Sequence, residues 1–276
     1  MKTILIVIGG MADIPDRELG SKTPMMVADM PSLKALSEGG MTGLYLPVEK
    51  GFPVSVQTTL LSLFGYDLRK GIPSSDDLIS LALEEKPQAH VSMKTNGLII
   101  PFFSGHGVTI TSSLVARGIG KLSFLEPTDL YTIGSEEREI ADTIAAETIS
   151  KIGSNEFVFV YIDSPYKAAK AGEPELKQES LEIIDSHILS PVADFVWHAK
   201  EQMNLAITSG FISSWRTRSI MAGKVPAVIY FNDDIRYHKG VFNELEICKE
   251  ELNFKKPYDL MRFLSLFMPP EPQLQF

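Results

Sequence analysis

At 276 residues and 44% hydrophobic, the chain can bury a large core in one domain, with or without a small insertion. Its 26 Lys and Arg against 35 Asp and Glu give a net charge of −9, which argues against nucleic acid and anionic membrane as partners, because both reward clustered cations. A single cysteine, Cys248, leaves no internal disulfide and no Cys-based metal site, and fits a cytoplasmic setting.

Ile4–Ile8 is an unbroken apolar run that stops at Gly9-Gly10. It is too short for a signal sequence or a membrane span and reads as a fully buried strand. Pro31 to Leu36, stopped by Gly39-Gly40, reads as a short helix with Pro in its first turn. Thr58 to Phe64, stopped by Gly65, is a second short helix. The stretch from Gly71 to Gly107 breaks the rhythm with Pro73, Pro87 and Pro101, and Asp76-Asp77 looks like a helix start. Ser135 is placed to cap a longer helix whose face carries Ile140, Ala141, Ile144, Ala145, Ile149 and Ile152. Phe157–Ile162 is another buried strand. Leu181, Ile184, Ile188, Val192, Phe195 and Val196 mark one long amphipathic helix. Leu205–Ile207 and Ala227–Phe231 are further strands, and a last helix covers Tyr258 to Phe267. Buried strands alternating with amphipathic helices predict an α/β fold, a three-layer sandwich around a mostly parallel sheet. The expected division is a core of residues 1–70 and 108–268, a reduced cap at 71–107 and a loose tail at 269–276.

Ligands of such sheets bind beyond the carboxyl ends of the strands. Three places follow: Gly9-Gly10, Asp163 to Lys167, and Ser209 to Ser214. With those segments in view, "ILIVIGGMADIPDRELGSKTP" resembles the opening of the archaeal-type cofactor-independent phosphoglycerate mutases of the alkaline phosphatase superfamily. Their pattern there is a strand, then Asp-Gly-Met-Ala/Gly-Asp, then Leu-Gly-Gly-Lys-Thr-Pro. The resemblance continues through "MPSLKALSEGGMTGL", "LLSLFGYD", "EPELKQESLEIID", "VPAVIY" and "YDLMRFLSLFM", in family order and toward both ends of the chain.

The resemblance implies the fold named above, with a cap smaller than the family's, and a two-metal chemistry in which an activated serine attacks and the ions clamp the transferring phosphoryl group. Carried over position by position, the family's ligands and nucleophile fall on other residues. The first-strand Asp falls on Gly9 and the Ser-Asp pair on Val56-Gln57. The Asp and His of the Asp-x-x-x-His motif fall on Tyr166 and Lys170, the Asp-His pair on Gly210-Phe211, and the last His on Ile220. Small and apolar replacements make sense as a set, because carboxylates left without metals would repel one another at a desolvation cost. The expectation is therefore a chain without a metal or other cofactor, and a non-catalytic homologue that binds a protein partner or a small anion. A homo-oligomer is compatible with this.

The alternative is a phosphoglycerate mutase-like or other phosphoester enzyme working without the two-metal site. Its candidate nucleophile is Ser55, one residue from the family position, set against an ordinary capping serine. Its candidate anion binders are Lys167, Lys170, Arg216 and Arg218. The five histidines, His90, His106, His187, His198 and His238, form no close pair along a helix, and His106 in its Gly-flanked loop stands out most. His187 and His198 are expected near the solvent face of the long helix. Asp13 and Asp16 read as solvated loop carboxylates.

Overall fold

The computed structural model describes residues 1–84, 107–130, 136–232 and 252–266. Eight strands form the main sheet: β1 (Lys2–Ile8), β2 (Met41–Tyr45), β3 (Gly107–Ile110), β4 (Glu126–Pro127), β5 (Phe157–Ile162), β6 (Met203–Ser209), β9 (Val225–Phe231) and β10 (Leu252–Asn253). Between β6 and β9, β7 (Ile212–Ser214) and β8 (Ser219–Met221) make a separate hairpin. The spatial order is β10-β2-β9-β6-β1-β5-β3-β4, parallel throughout except where β9 runs antiparallel to β2 and β6. The helices are α1 (Pro24–Val27), α2 (Pro31–Gly39), α3 (Val56–Leu63), α4 (Ser75–Leu83), α5 (Leu114–Leu122), α6 (Glu137–Ser154), α7 (Ser164–Ala171), α8 (Pro174–Ile184), α9 (Ser190–Trp197) and α10 (Asp259–Leu266).

The strand β1 explains the three layers. Its side chains alternate between faces, and both faces are covered. Ile4, Ile6 and Ile8 join Ile144, Leu181 and Val192 in the core on one side of the sheet. Leu5 and Val7 join Leu60, Phe64, Ile119 and Leu260 on the other. Each such burial is worth about 1.5–3 kcal/mol, which is why an unbroken apolar run marks a central strand.

The long helix predicted across 181–196 is interrupted. Residues Asp185–Leu189 form a π-helical turn, in which the Ser190 N–H reaches back to the Asp185 carbonyl. Pro191 is the physical reason. It has no N–H to donate, and its ring would strike the carbonyl one turn earlier in a regular helix. The turn puts the Asp185 side chain to use. Its carboxylate accepts from the backbone N–H groups of Ser32 (3.0 Å) and Leu33 (2.8 Å), capping α2, whose own flanking residue Met30 supplies no side-chain cap. Burial pushes the Asp185 carboxyl up, while the two backbone donors oppose that shift.

Of the expected cap, the described residues include α4, which carries the acidic pair Asp76-Asp77 in its first turn and packs closely enough on α5 that a side chain at Gly118 would strike the Leu78 backbone. Residues 85–106, with His90 and His106, lie outside the described residues. So do His238, Cys248, the tail and Ser135; α6 begins after Glu136, which makes no side-chain cap.

Asp185→Ala should lower stability by about 1–2 kcal/mol in urea denaturation at pH 7, because α2 loses the side-chain cap that Asp185 gives it.

Candidate functional site at the carboxyl ends of β1, β5 and β6

The register makes the site. Ile8 lies opposite Ile162 on one side and Ser209 on the other, so three neighbouring strands end at one level. Their following residues, Gly9-Gly10, Asp163 onward and Gly210 onward, share one rim. The start of α3 also reaches it, since Thr59 lies beside Gly210.

Gly9 and Gly10 are small for different reasons. Gly10 has φ +71°, and a Cβ there would lie 2.9 Å from Ser213 and 3.0 Å from the Tyr166 backbone. Gly9 has no such backbone demand. A Cβ there would instead lie 2.6 Å from the Tyr161 hydroxyl and 3.2 Å from the Ile162 carbonyl. Tyr161 is 1% exposed, and its hydroxyl has no hydrogen-bond partner among the described residues. Burial raises its phenol well above the ordinary tyrosine range, so it stays neutral.

Next to it, Tyr166 and Phe211 pack edge to face, with ring centroids 5.1 Å apart. The exposed Lys170 ammonium sits 5.6 Å from the Tyr166 ring centroid. Gly210 leaves ordinary room, with a Cβ at 3.5 Å from Val7 and 3.6 Å from Gly9. The fold thus brings together Gly9, Tyr166, Lys170, Gly210 and Phe211. Ile220 stands in β8, opposite Ser213 in the hairpin. Val56 and Gln57 open α3, where the Gln57 amide donates to the Pro73 carbonyl at 3.4 Å.

The remaining candidates have structural partners. Ser55 is the N-cap of α3 and forms a reciprocal capping box with Thr58. Lys167 pairs with Asp163 at 2.9 Å and is mostly exposed. Arg216 is held by Asp16 (2.6 Å) and Glu18 (2.9 Å) and lies over the Trp215 ring. Arg218 has φ 53° and rests its guanidinium against Gly172. His187 bonds Asp142 at 2.7 Å from a partly exposed position, and exposed His198 pairs with Asp194.

Asp13 corrects the expectation of a solvated carboxylate. It is fully buried against Lys177, with Nζ to Oδ2 at 2.7 Å and neither side chain exposed. The ammonium also donates to the Ser213 carbonyl at 2.7 Å and the Ala12 carbonyl at 3.4 Å. Oδ1 accepts from the Ile14 N–H at 2.7 Å. The signal was available, since Lys177 precedes Leu181 and Ile184 by four and seven residues and so belongs to the apolar stripe of α8. Asp16 is likewise engaged rather than free. The Arg216 hydrogen bond leads in holding its carboxyl down, at about 2.

A two-metal centre needs a cluster of carboxylates and imidazoles. Among the described residues, no group of three or more His, Cys, Asp or Glu could hold a metal ion. Among the described residues of this rim, aromatic rings, glycines and a lysine do not make that donor set. The described residues also contain no helix long and apolar enough to cross a membrane.

No protein-family model matches the chain. It is 24% identical over 292 aligned residues to a 2,3-bisphosphoglycerate-independent phosphoglycerate mutase of Pyrococcus furiosus, a match covering 94% of this chain and 71% of the relative. A second such enzyme, from Thermococcus gammatolerans, is 26% identical, and there the match covers 82% of this chain and 60% of the relative. In structure, the cofactor-independent phosphoglycerate mutase from Thermoplasma acidophilum superposes with a TM-score of 0.62 at 17% identity, covering 96% of this chain and 99% of that one. These likenesses establish homology and the shared fold.

Two outcomes follow from the ion pairs. Lys177→Met alone should cost about 3–5 kcal/mol, because it strands a buried carboxylate, and Asp13→Asn added to it should recover part of that in denaturant titrations. Asp16 has a lowered folded pKa, so its contribution to stability is present above 3.8 and fades as the pH falls toward about 2. Arg216→Ala should return that pKa toward 3.8, read by NMR titration of the Asp16 carboxyl.

Proposed function

We propose that this chain, which belongs to the archaeal-type cofactor-independent phosphoglycerate mutase family of the alkaline phosphatase superfamily, is a non-catalytic homologue serving as a binding or regulatory scaffold. The observation that carries the reading is the Tyr166–Phe211 ring pair. The resemblance assigns both positions to metal ligands, and here the two side chains are packed on each other. Gly9 and Gly210, at two further ligand positions, offer no donor atoms on side chains. Ser55 has its hydroxyl engaged with Thr58 at the N-terminus of α3, and its hydrogen bonds among the described residues include no base that could activate it.

Phosphoryl transfer in this family depends on charge neutralisation by metals at the moment of transfer. A rim of two rings, glycine backbone, the exposed Lys170 ammonium and a Lys167 already paired with Asp163 supplies little of that. It suits instead a surface that recognises a protein segment or a small anion, with Lys170 as its cation. The fold keeps the rim in place because the strands beneath it remain fully packed.

Purified protein incubated with Mn²⁺ or Zn²⁺ should retain less than stoichiometric metal after desalting, and should not interconvert 2- and 3-phosphoglycerate. Stoichiometric metal with mutase turnover would overturn the reading.

A further inference from the structure

We propose that Tyr161 is the residue that closes position 9 to any side chain, so that Gly9 and Tyr161 act as one coupled unit. This deepens the non-catalytic reading and rests on it for its functional meaning, but its physical content stands on packing alone. Position 9 has no positive φ, so an L-residue is allowed there by the backbone. What crowds it most is the phenol of the neighbouring strand, with the Ile162 carbonyl a weaker second contact at 3.2 Å. Val7 of β1 pairs with Tyr161 of β5, and the ring shares the core face of Phe157, Phe159 and Val7. Its hydroxyl extends past the end of β1 to lie 2.6 Å from where a Cβ on residue 9 would be, with the ring carbon Cζ at 3.1 Å. Both distances are shorter than an unstrained carbon contact, and the tyrosine is too buried to swing away.

The hydroxyl has no hydrogen-bond partner among the described residues, and the ring fills the space beside Gly9. A donor side chain at residue 9 therefore cannot be restored by changing that residue alone. The change must include the strand beside it.

The test is a thermal-denaturation double-mutant cycle on the full chain. Gly9→Ala should lower Tm by roughly 5 °C in the parent background. In Tyr161→Leu, which has its own lower Tm, the same substitution should lower Tm by less than half as much. Gly210→Ala is the control, since its Cβ makes only ordinary contacts, and it should shift Tm equally in both backgrounds. A Gly9→Ala shift that keeps more than half its size in Tyr161→Leu, or is absent from the parent, overturns the proposal. If Gly9→Ala does not fold in the parent, recovery of folding in Tyr161→Leu supports it and failure to recover overturns it. Where Tyr161→Leu itself does not fold, Tyr161→Phe removes the nearest atom alone. A smaller Gly9→Ala shift is then expected, and an unchanged one overturns the proposal. None of these readouts depends on activity, so mutase turnover would sink the scaffold reading and leave the coupling intact.

Discussion

The buried pair of Asp13 and Lys177 is the constraint on which the rim depends. It joins the loop after β1, the first turns of α8 and the end of β7, three segments distant in sequence. Taking both charges out of water is expensive and is offset only because the ammonium has three acceptors and the carboxylate accepts backbone N–H groups as well. That saturation fixes geometry more than it adds stability. With the loop held down, Gly10 is pressed against Ser213 and the Tyr166 backbone, and the β7–β8 hairpin lies over the strand ends. The Arg216 contacts to Asp16 and Glu18 tie the same loop and hairpin together at the surface, where solvent and salt weaken such pairs.

Two kinds of packing meet at the rim. Beneath it, the central strands are fully packed on both faces, with aliphatic side chains on one and Phe157 and Phe159 among the aliphatics on the other. Above, rings and glycines take over: Tyr161 against Gly9, Tyr166 against Phe211, and a roomier Gly210 between Val7 and Thr59. The charged groups of this rim, Lys170 and the Asp163–Lys167 pair, lie outside these rings and glycines.

Much of the architecture was legible because burial writes itself into composition. The runs Ile4–Ile8 and Phe157–Ile162 could only be central strands. Short elements without a periodic stripe were not legible: β2 contains Gly43, β3 is four residues long, and α7 opens with Ser164, Pro165, Tyr166 and Lys167. The π turn was hidden because its apolar spacing continues across Pro191. At the site, the order of motifs placed the right segments on one rim. Single positions could not reveal partnership. Asp13 looked like any loop acid, and nothing at Gly9 pointed to a tyrosine 152 positions further along the chain.

The π turn at Asp185–Leu189 also sets the phase of everything after it. A helical turn that closes on the fifth residue carries one more residue than a regular turn does, and one residue is about 100° of rotation. Through that phase, Val192, Ala193 and Val196 face the sheet while Ser190, Asp194 and Trp197 face outward. Losing a single residue from the turn would rotate α9 and present its polar side to the core. Along 185–189 the count of residues therefore matters in addition to the side chains, of which Asp185 caps α2 and Ile188 and Leu189 fill the core.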